Sequence, residues 1–335
     1  MSSTRIAYLD VIRIFACLLI ITMHSPIPNN GADANMLSAI SMITAPGIGL
    51  FFMVSGALLL PTQEPTGTFL KRRLKKVVFP TLFWSLFYLS LTFFTKGMTE
   101  EVMLKKICSI PFSTQGHSIM WFMYTLTGLY LLAPILSPWL RQASRRELEW
   151  VLALWGVTLC FPLLTYLVKV NTSHTGMLYY FSGYAGYFLL GYYLHTFRPK
   201  LKGWQIALLF IIPISTAIVF KITHTPINFY TVFWYQSILI VMMCVGWFCL
   251  FQKNEKSIPH RSWVSVLSNC CFGIYLIHIF IMRSILWKCD FISANGSIMQ
   301  IAMTVILTGI MSFAIVWCMS KLPFAQYIIG FKQKK

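Results

Sequence analysis

The sequence predicts an all-α, polytopic integral membrane protein with about ten transmembrane helices and both termini in the cytoplasm. Three observations support this fold class: 57% of the 335 residues are hydrophobic, only 11% are charged, and the mean hydropathy is +0.69. A soluble domain carries roughly 25% charged residues, so the composition excludes an ordinary cytosolic enzyme. An aromatic content of 16% also excludes a disordered chain.

Runs of about 20 mainly apolar residues, the length that crosses a bilayer as a helix, mark the spans. In chain order they lie at 7–25, 37–60, 77–96, 119–137, 148–168, 177–195, 204–220, 230–251, 264–286 and 297–319. Each span is bounded by a polar or charged segment. In the same order these segments are Arg5, 26–36, 61–76, 97–118, 138–147, 169–176, 196–203, 221–229, 252–263, 287–296 and, after the last span, Lys321. We therefore expect one transmembrane domain over residues 1–335, without an appended soluble domain.

The net charge of +18 is explained by membrane topology. Nucleic-acid binding would need a solvated basic face, which a chain this apolar does not offer. With the predicted spans, nineteen of the 27 Lys and Arg residues lie on the side of the N-terminus. Basic residues in short loops stay in the cytoplasm, so this asymmetry predicts that both termini are cytoplasmic.

The first span could also be a secretory signal, because its apolar run is short and follows Arg5. However, Asp10 and Arg13 interrupt the segment that leads into the run, and no small-residue cleavage site follows His24. We therefore expect a retained helix. The nine cysteines show no CxxC pair and no metal-ligand spacing, so neither a redox centre nor a metal is expected, although Cys108 and Cys289 both map to outer loops and could pair.

Ionisable residues inside a bilayer are costly and usually functional. The first span contains Asp10, Arg13 and His24. At 100° per residue, the eleven steps from Arg13 to His24 return to within about 20° of the same direction, with a rise of about 16 Å. Asp10 lies three residues before Arg13, a spacing that allows an ion pair. Arg13 and His24 are thus predicted to lie on one helix face at two depths.

A simpler interpretation of this span remains open at this point. Asp10 and Arg13 would form an interfacial ion pair that reaches the cytoplasm, and His24 would only end a helix at the outer surface. The ninth span favours a polar cavity instead, because Tyr275, His278 and Arg283 add polar groups at the depth of His24.

Five sequence blocks stand out along the chain. The first is YLDVIR at residues 8–13, with His24 eleven positions after Arg13. The others are LFFMVSG at 50–56, FLKRR at 69–73 leading to Pro80, Trp121-Phe122 with Tyr130 and Pro134, and GIYLIH at 273–278. In this order the blocks resemble the membrane-bound acyltransferase 3 family. Among its members, the chain is most similar to those that O-acetylate cell-envelope glycans, such as the enterobacterial common antigen O-acetyltransferase. One block departs from the family: its Arg-x-Arg reads Arg73-Leu74-Lys75, and lysine lacks the bidentate fork of arginine.

The resemblance implies a multi-pass enzyme of the bacterial inner membrane that takes an acetyl group from cytoplasmic acetyl-CoA. The acceptor would be a hydroxyl of a surface polysaccharide or a lipid-linked sugar on the outer face. The expected partners are these two substrates and membrane lipids, without nucleic acid. His24 is the candidate general base or, alternatively, a covalent acetyl carrier. Asp10 would orient Arg13, and a pantetheine arm is similar in length to the rise from Arg13 to His24.

Further candidates follow from position. For the CoA moiety we expect contacts from Arg13, Arg72, Arg73 and Lys75, and from Ser55 if the backbone after Pro46 is unwound. Ser55 and Gly56 could equally be a close helix-packing site. For the acceptor we expect Trp121, His117, Tyr275 and His278, although Trp121 could simply belong to an interfacial aromatic belt and His117 could be a solvated loop residue. The alternative function is a polysaccharide exporter or flippase with the same membrane fold.

Overall fold

The computed structural model describes residues 5–28, 34–110, 112, 120–169, 176–258 and 261–333. Across these residues the chain is all-α, with no strand. The α-helices are α1 Ala7–His24, α2 Ala34–Thr44, α3 Pro46–Leu59, α4 Thr66–Lys96, α5 Glu100–Ser109, α6 Trp121–Gln142, α7 Arg145–Leu159, α8 Phe161–Leu167, α9 Ala185–Phe197, α10 Gly203–Ile222, α11 Phe229–Val232, α12 Ile238–Lys253, α13 Ser262–Phe280, α14 Asp290–Ser293, α15 Ser297–Met319 and α16 Ala325–Ile329.

Within the described residues, eight helical stretches are long and apolar enough to cross a membrane, which confirms the all-α polytopic class. They coincide with eight of the ten predicted spans. The other two, 177–195 and 230–251, contain the shorter helices α9 and α12, of 13 and 16 residues. Thirteen residues rise only about 20 Å, less than a bilayer core of about 30 Å. The first parts of both predicted spans are turns and short helices instead.

Local sequence explains both late starts. Before α9, a single 3₁₀ turn at Tyr179–Phe181 is followed by Gly183, whose φ of +99° cannot continue a helix. Before α12, the hydroxyl of Ser237 accepts a hydrogen bond from the backbone N–H of Leu239 and so caps the helix there. Non-helical backbone is tolerated at membrane depth where it lines a cavity.

The third long helix starts earlier than predicted. We expected a span at 77–96, but α4 begins at Thr66, directly after Pro65, and ends before Gly97, which has a φ of +63°. The basic run from Lys71 to Lys76 is therefore the first part of this helix rather than a loop.

Helices α1, α3 and α9 form the centre of the bundle, and α3 packs more extensively against α9 than against any other helix. Two glycines make this contact possible. A Cβ on Gly56 would lie 1.8 Å from the carbonyl oxygen of Phe188, and one on Gly191 would lie 1.9 Å from that of Met53. The backbones therefore touch directly, as small residues permit between membrane helices. This confirms Gly56 as a packing position.

All nine cysteines are free thiols, including Cys108 and Cys289. The disulfide that the sequence allowed between the latter two is therefore not formed.

Candidate active site

A compact charged cluster lies at the beginning of α1. Asp10 is buried and accepts hydrogen bonds from Arg5, at 2.5 Å from Nε to Oδ2 and 3.1 Å from Nη2 to Oδ1. Ser268 Oγ on α13 donates to Asp10 Oδ1 at 2.6 Å and accepts from Arg13 Nη1 at 3.0 Å. Arg13 Nη1 is 3.8 Å from Asp10 Oδ1. The predicted pairing of Asp10 with Arg13 is present, but Arg5 is the nearer partner and Ser268 connects the two predicted residues. We call these four residues the inner cluster.

Of the predicted basic residues on α4, only Arg73 faces the inner cluster. It is close enough to Arg13 for the two positive charges to repel each other, and it also interacts electrostatically with Tyr130 on α6, which in turn interacts with Ser55 on α3. The Nε of Arg73 is buried and has no hydrogen-bond partner among the described residues. A buried guanidinium N–H in this state is suited to an anionic ligand.

The other two predicted cations on α4 face elsewhere. Arg72 forms an ion pair with Glu64 at 2.5 Å, and Lys75 is exposed. Further along the helix, Lys76 lines an open cleft of about 1000 Å³ together with Lys321 and Lys332, beside α16. We call the positive surface formed by the run from Lys71 to Lys76 together with Lys321 and Lys332 the basic rim; it is wider than the sequence block suggested, because it includes residues near the C-terminal end of the described chain.

The predicted unwound backbone beside Ser55 is wrong. Helix α3 is continuous from Pro46 to Leu59, because Pro46 occupies its first turn, where no backbone N–H is required. Ser55 therefore offers its hydroxyl, not free backbone N–H groups, to the neighbourhood of Arg73.

A histidine pair lies at the other end of α1. Nδ1 of His24 is 2.9 Å from the carbonyl oxygen of Ile20 and 3.5 Å from Nε2 of His278. Nδ1 of His278 is 2.6 Å from the carbonyl oxygen of Tyr275. Carbonyl oxygens only accept hydrogen bonds, so both Nδ1 atoms carry the proton. His278 Nε2 is then an acceptor facing His24, and the Nε2 of His24 keeps a free lone pair.

His24 lines a cavity of about 580 Å³ whose walls are mainly aromatic. We call it the outer cavity; its aromatic residues are Trp121, Tyr184, Tyr230, Trp234, Tyr235 and Tyr275. Trp121 stacks on Tyr235 with ring centroids 5.3 Å apart and an interplanar angle of 29°. Flat aromatic faces around a basic nitrogen suit a polar ligand with apolar ring faces.

The inner cluster and the outer cavity share one face of α1. Arg13, Cys17, Ile20 and His24 follow each other at helical spacing, and both Cys17 and Ile20 are buried. The two polar sites are about 16 Å apart along the helix, with small and apolar side chains between them.

Comparison with known proteins identifies one family. The family model for the acyltransferase domain of the acyltransferase 3 type matches residues 6–321, nearly the whole chain. The chain belongs to the acyltransferase 3 family. No curated protein and no solved structure matches it.

Only some of the residues predicted to contact the acceptor line the outer cavity of this acyltransferase. Trp121 and Tyr275 line the outer cavity with His24. His278 is completely buried, so it contacts His24 rather than the cavity. His117 lies outside the described residues.

Several site residues of the acyltransferase were missed. Arg5 was counted only as a topology signal, and Ser268 is an ordinary serine in an apolar span. The cavity aromatics Tyr230, Trp234 and Tyr235 lie in a predicted span that begins with the short helix α11 and turns rather than with a long helix. The available signal was the presence of four aromatic residues within the six positions 230–235.

Proposed function

We propose that this acyltransferase moves an acetyl group from cytoplasmic acetyl-CoA to a hydroxyl of a sugar on the outer face of the membrane. The observation that carries the proposal is the arrangement along α1. A cationic cluster at one end and a histidine with a free Nε2 at the other lie on one helix face, about 16 Å apart.

The inner end suits the nucleotide part of the donor. Arg13 and the unpaired Nε of Arg73 offer charge-assisted hydrogen bonds to phosphate, and the lysines of the wider rim add positive charge. Asp10 does not react in this proposal. It holds Ser268, which accepts a hydrogen bond from Arg13 and fixes the direction of its guanidinium.

The pantetheine arm would run along Cys17 and Ile20 and present the thioester beside His24. His24 Nε2 then takes the proton of the acceptor hydroxyl, and the oxygen of this hydroxyl attacks the carbonyl carbon of the thioester. The tetrahedral intermediate collapses with cleavage of the C–S bond, and the proton passes from His24 to the CoA thiolate. During this step the positive imidazolium is stabilised through Nδ1–H by the Ile20 carbonyl and by His278 Nε2. A covalent relay would use the same Nε2 atom as the acetyl carrier.

The outer cavity suits a sugar acceptor, since aromatic side chains stack on the apolar faces of sugar rings. By the sequence resemblance, the acceptor is a glycan of the bacterial cell envelope and the enzyme lies in the inner membrane. The exporter alternative gains no support, because Cys17 and Ile20 break the polar face of α1 that a conduit would need.

Radiolabel transfer tests the proposal. Membranes containing the full chain are given labelled acetyl-CoA and the envelope glycan of the host. We expect labelled glycan with the unchanged chain, none with His24→Ala, and full labelling with His224→Ala, whose histidine is exposed and does not line the outer cavity. Equal labelling by the His24→Ala chain would remove His24 from the mechanism, and glycan export without labelling would support an exporter.

A further inference from the structure

A single arginine stands on the wall of the outer cavity. Arg283 lines it together with His24, and its side chain is exposed there. It belongs to the π-helical turn Ile281–Ile285 that continues α13, and its neighbours Ile281 and Met282 are fully buried. Single π-turns insert one residue into a helix and occur frequently at functional sites. Here the turn is anchored by two buried side chains while Arg283 faces the cavity.

The charge of Arg283 is not compensated. Its guanidinium lies 5.5 Å from the ring centroid of Trp287, but among the described residues it makes no hydrogen bond and no ion pair. The described residues that line the cavity include no acidic side chain. Membrane topology does not explain the charge, because the predicted spans place Arg283 on the outer side, where basic residues are depleted.

The residues that line the cavity therefore fit a ligand of a specific chemical kind. Aromatic walls fit the faces of a sugar ring, and the guanidinium offers a planar pair of N–H donors that matches a carboxylate or phosphate. A neutral sugar would leave these donors without a partner of opposite charge. Since His24 and Arg283 line the same cavity, an acceptor can reach both at once.

We propose that Arg283 binds an anionic group, a carboxylate or a phosphate, on the acceptor sugar and so makes the site selective for acidic glycans. This inference rests on the proposed function in placing the acceptor in the outer cavity. It makes Arg283 a specificity residue: it would hold the acceptor and take no part in proton transfer.

Binding without the donor tests the inference separately from catalysis. The full chain in nanodiscs of zwitterionic lipid is titrated with methyl β-glucoside, methyl β-glucuronide and methyl β-glucoside 6-phosphate. Tryptophan fluorescence is the signal, because Trp121 and Trp234 line the cavity. We expect at least one anionic glycoside to bind about tenfold more tightly than the neutral one, and the advantage to shrink as salt is added. Whichever of the two binds more tightly identifies the anionic group.

Variants separate recognition from structure. Arg283→Gln should remove the preference and leave binding of the neutral glucoside unchanged. Arg283→Lys should keep more of a phosphate preference than of a carboxylate preference, since it loses the planar fork. Lys288→Gln, which removes an exposed charge five residues away, should keep the full preference.

The inference is overturned if the unchanged chain binds all three glycosides equally or if Arg283→Gln keeps the preference. It is also overturned if Arg283→Gln weakens binding of the neutral glucoside as much as binding of the charged glycosides. Absence of acetyl transfer in the labelling assay would instead contradict the proposed function and would leave a measured binding preference intact.

Discussion

The two ends of α1 differ in how they manage charge. At the inner end, Asp10 is held between Arg5 and Ser268, and Arg13 is fixed through the same serine. At the outer end, two histidines share a hydrogen bond beside aromatic walls. A cluster with excess positive charge suits binding of an anion, whereas neutral imidazoles suit transfer of a proton. In the proposed function, one helix therefore carries donor binding at one depth and chemistry at the other.

The largest expected effect concerns the outer end alone. His24→Gln should lower kcat about 10³-fold, because general-base catalysis contributes that order of acceleration. The affinity for acetyl-CoA should stay within about twofold of the original, since the proposed nucleotide contacts lie at the inner end. Steady-state kinetics and acetyl-CoA binding by the purified chain measure the two quantities. A comparable loss of acetyl-CoA affinity would contradict the division of labour.

A substitution at the inner end should instead change KM for acetyl-CoA and not kcat. Arg13→Ala should raise KM for acetyl-CoA about 30-fold, through loss of a charge-assisted contact with phosphate, and leave kcat at saturating donor nearly unchanged. Acetyl-pantetheine provides a matched control because it lacks the nucleotide phosphates. The variant and the unchanged chain should use it equally well, and an equal loss with both donors would show that Arg13 acts on the chemistry or the fold.

The buried His278 tests how His24 is positioned. His278→Phe should lower kcat about tenfold, because the Nδ1–H of His24 loses its second acceptor, whereas His278→Gln restores an acceptor and should recover most of the activity. Single-turnover transfer at saturating donor measures the chemical step. Equal activity of the two variants would show that only the volume of the side chain matters.

Ser268 should give the smallest effect. Ser268→Ala removes the hydroxyl between Asp10 and Arg13, and we expect KM for acetyl-CoA to rise about fivefold, as loss of one hydrogen bond suggests. Ser265→Ala is a control one turn earlier on the same helix. The prediction fails if Ser268→Ala changes kcat and leaves KM as it was.

The face of α1 was predictable because it depends only on helical periodicity. In the structure, Arg13 and His24 lie on one face of α1 as their spacing predicts, and Asp10 lies close to Arg13. The partners on α13 were predictable only in part. His278 was expected at the depth of His24, but its contact with His24 and the position of Ser268 between Asp10 and Arg13 depend on the packing of α13, which a local pattern does not reveal.

The errors in the predicted helix boundaries also have physical causes. The spans at 177–195 and 230–251 are mainly apolar, but Gly183 and Ser237 determine where their helices begin. Pro46 looked like a break inside a span, yet at the first turn of α3 it is compatible with a continuous helix. Hydrophobicity therefore predicted the class and most spans, while single backbone-determining residues decided which segments shape the outer cavity.

In the proposed function, donor and acceptor react with each other although neither one crosses the membrane. Inside-out vesicles containing the full chain and loaded with host glycan, given labelled acetyl-CoA only on their outside, test it most directly. We expect label on the enclosed glycan while the CoA part stays outside, and no label in vesicles of the opposite orientation. Label that appears only when acetyl-CoA and glycan are supplied on the same side would contradict the claim.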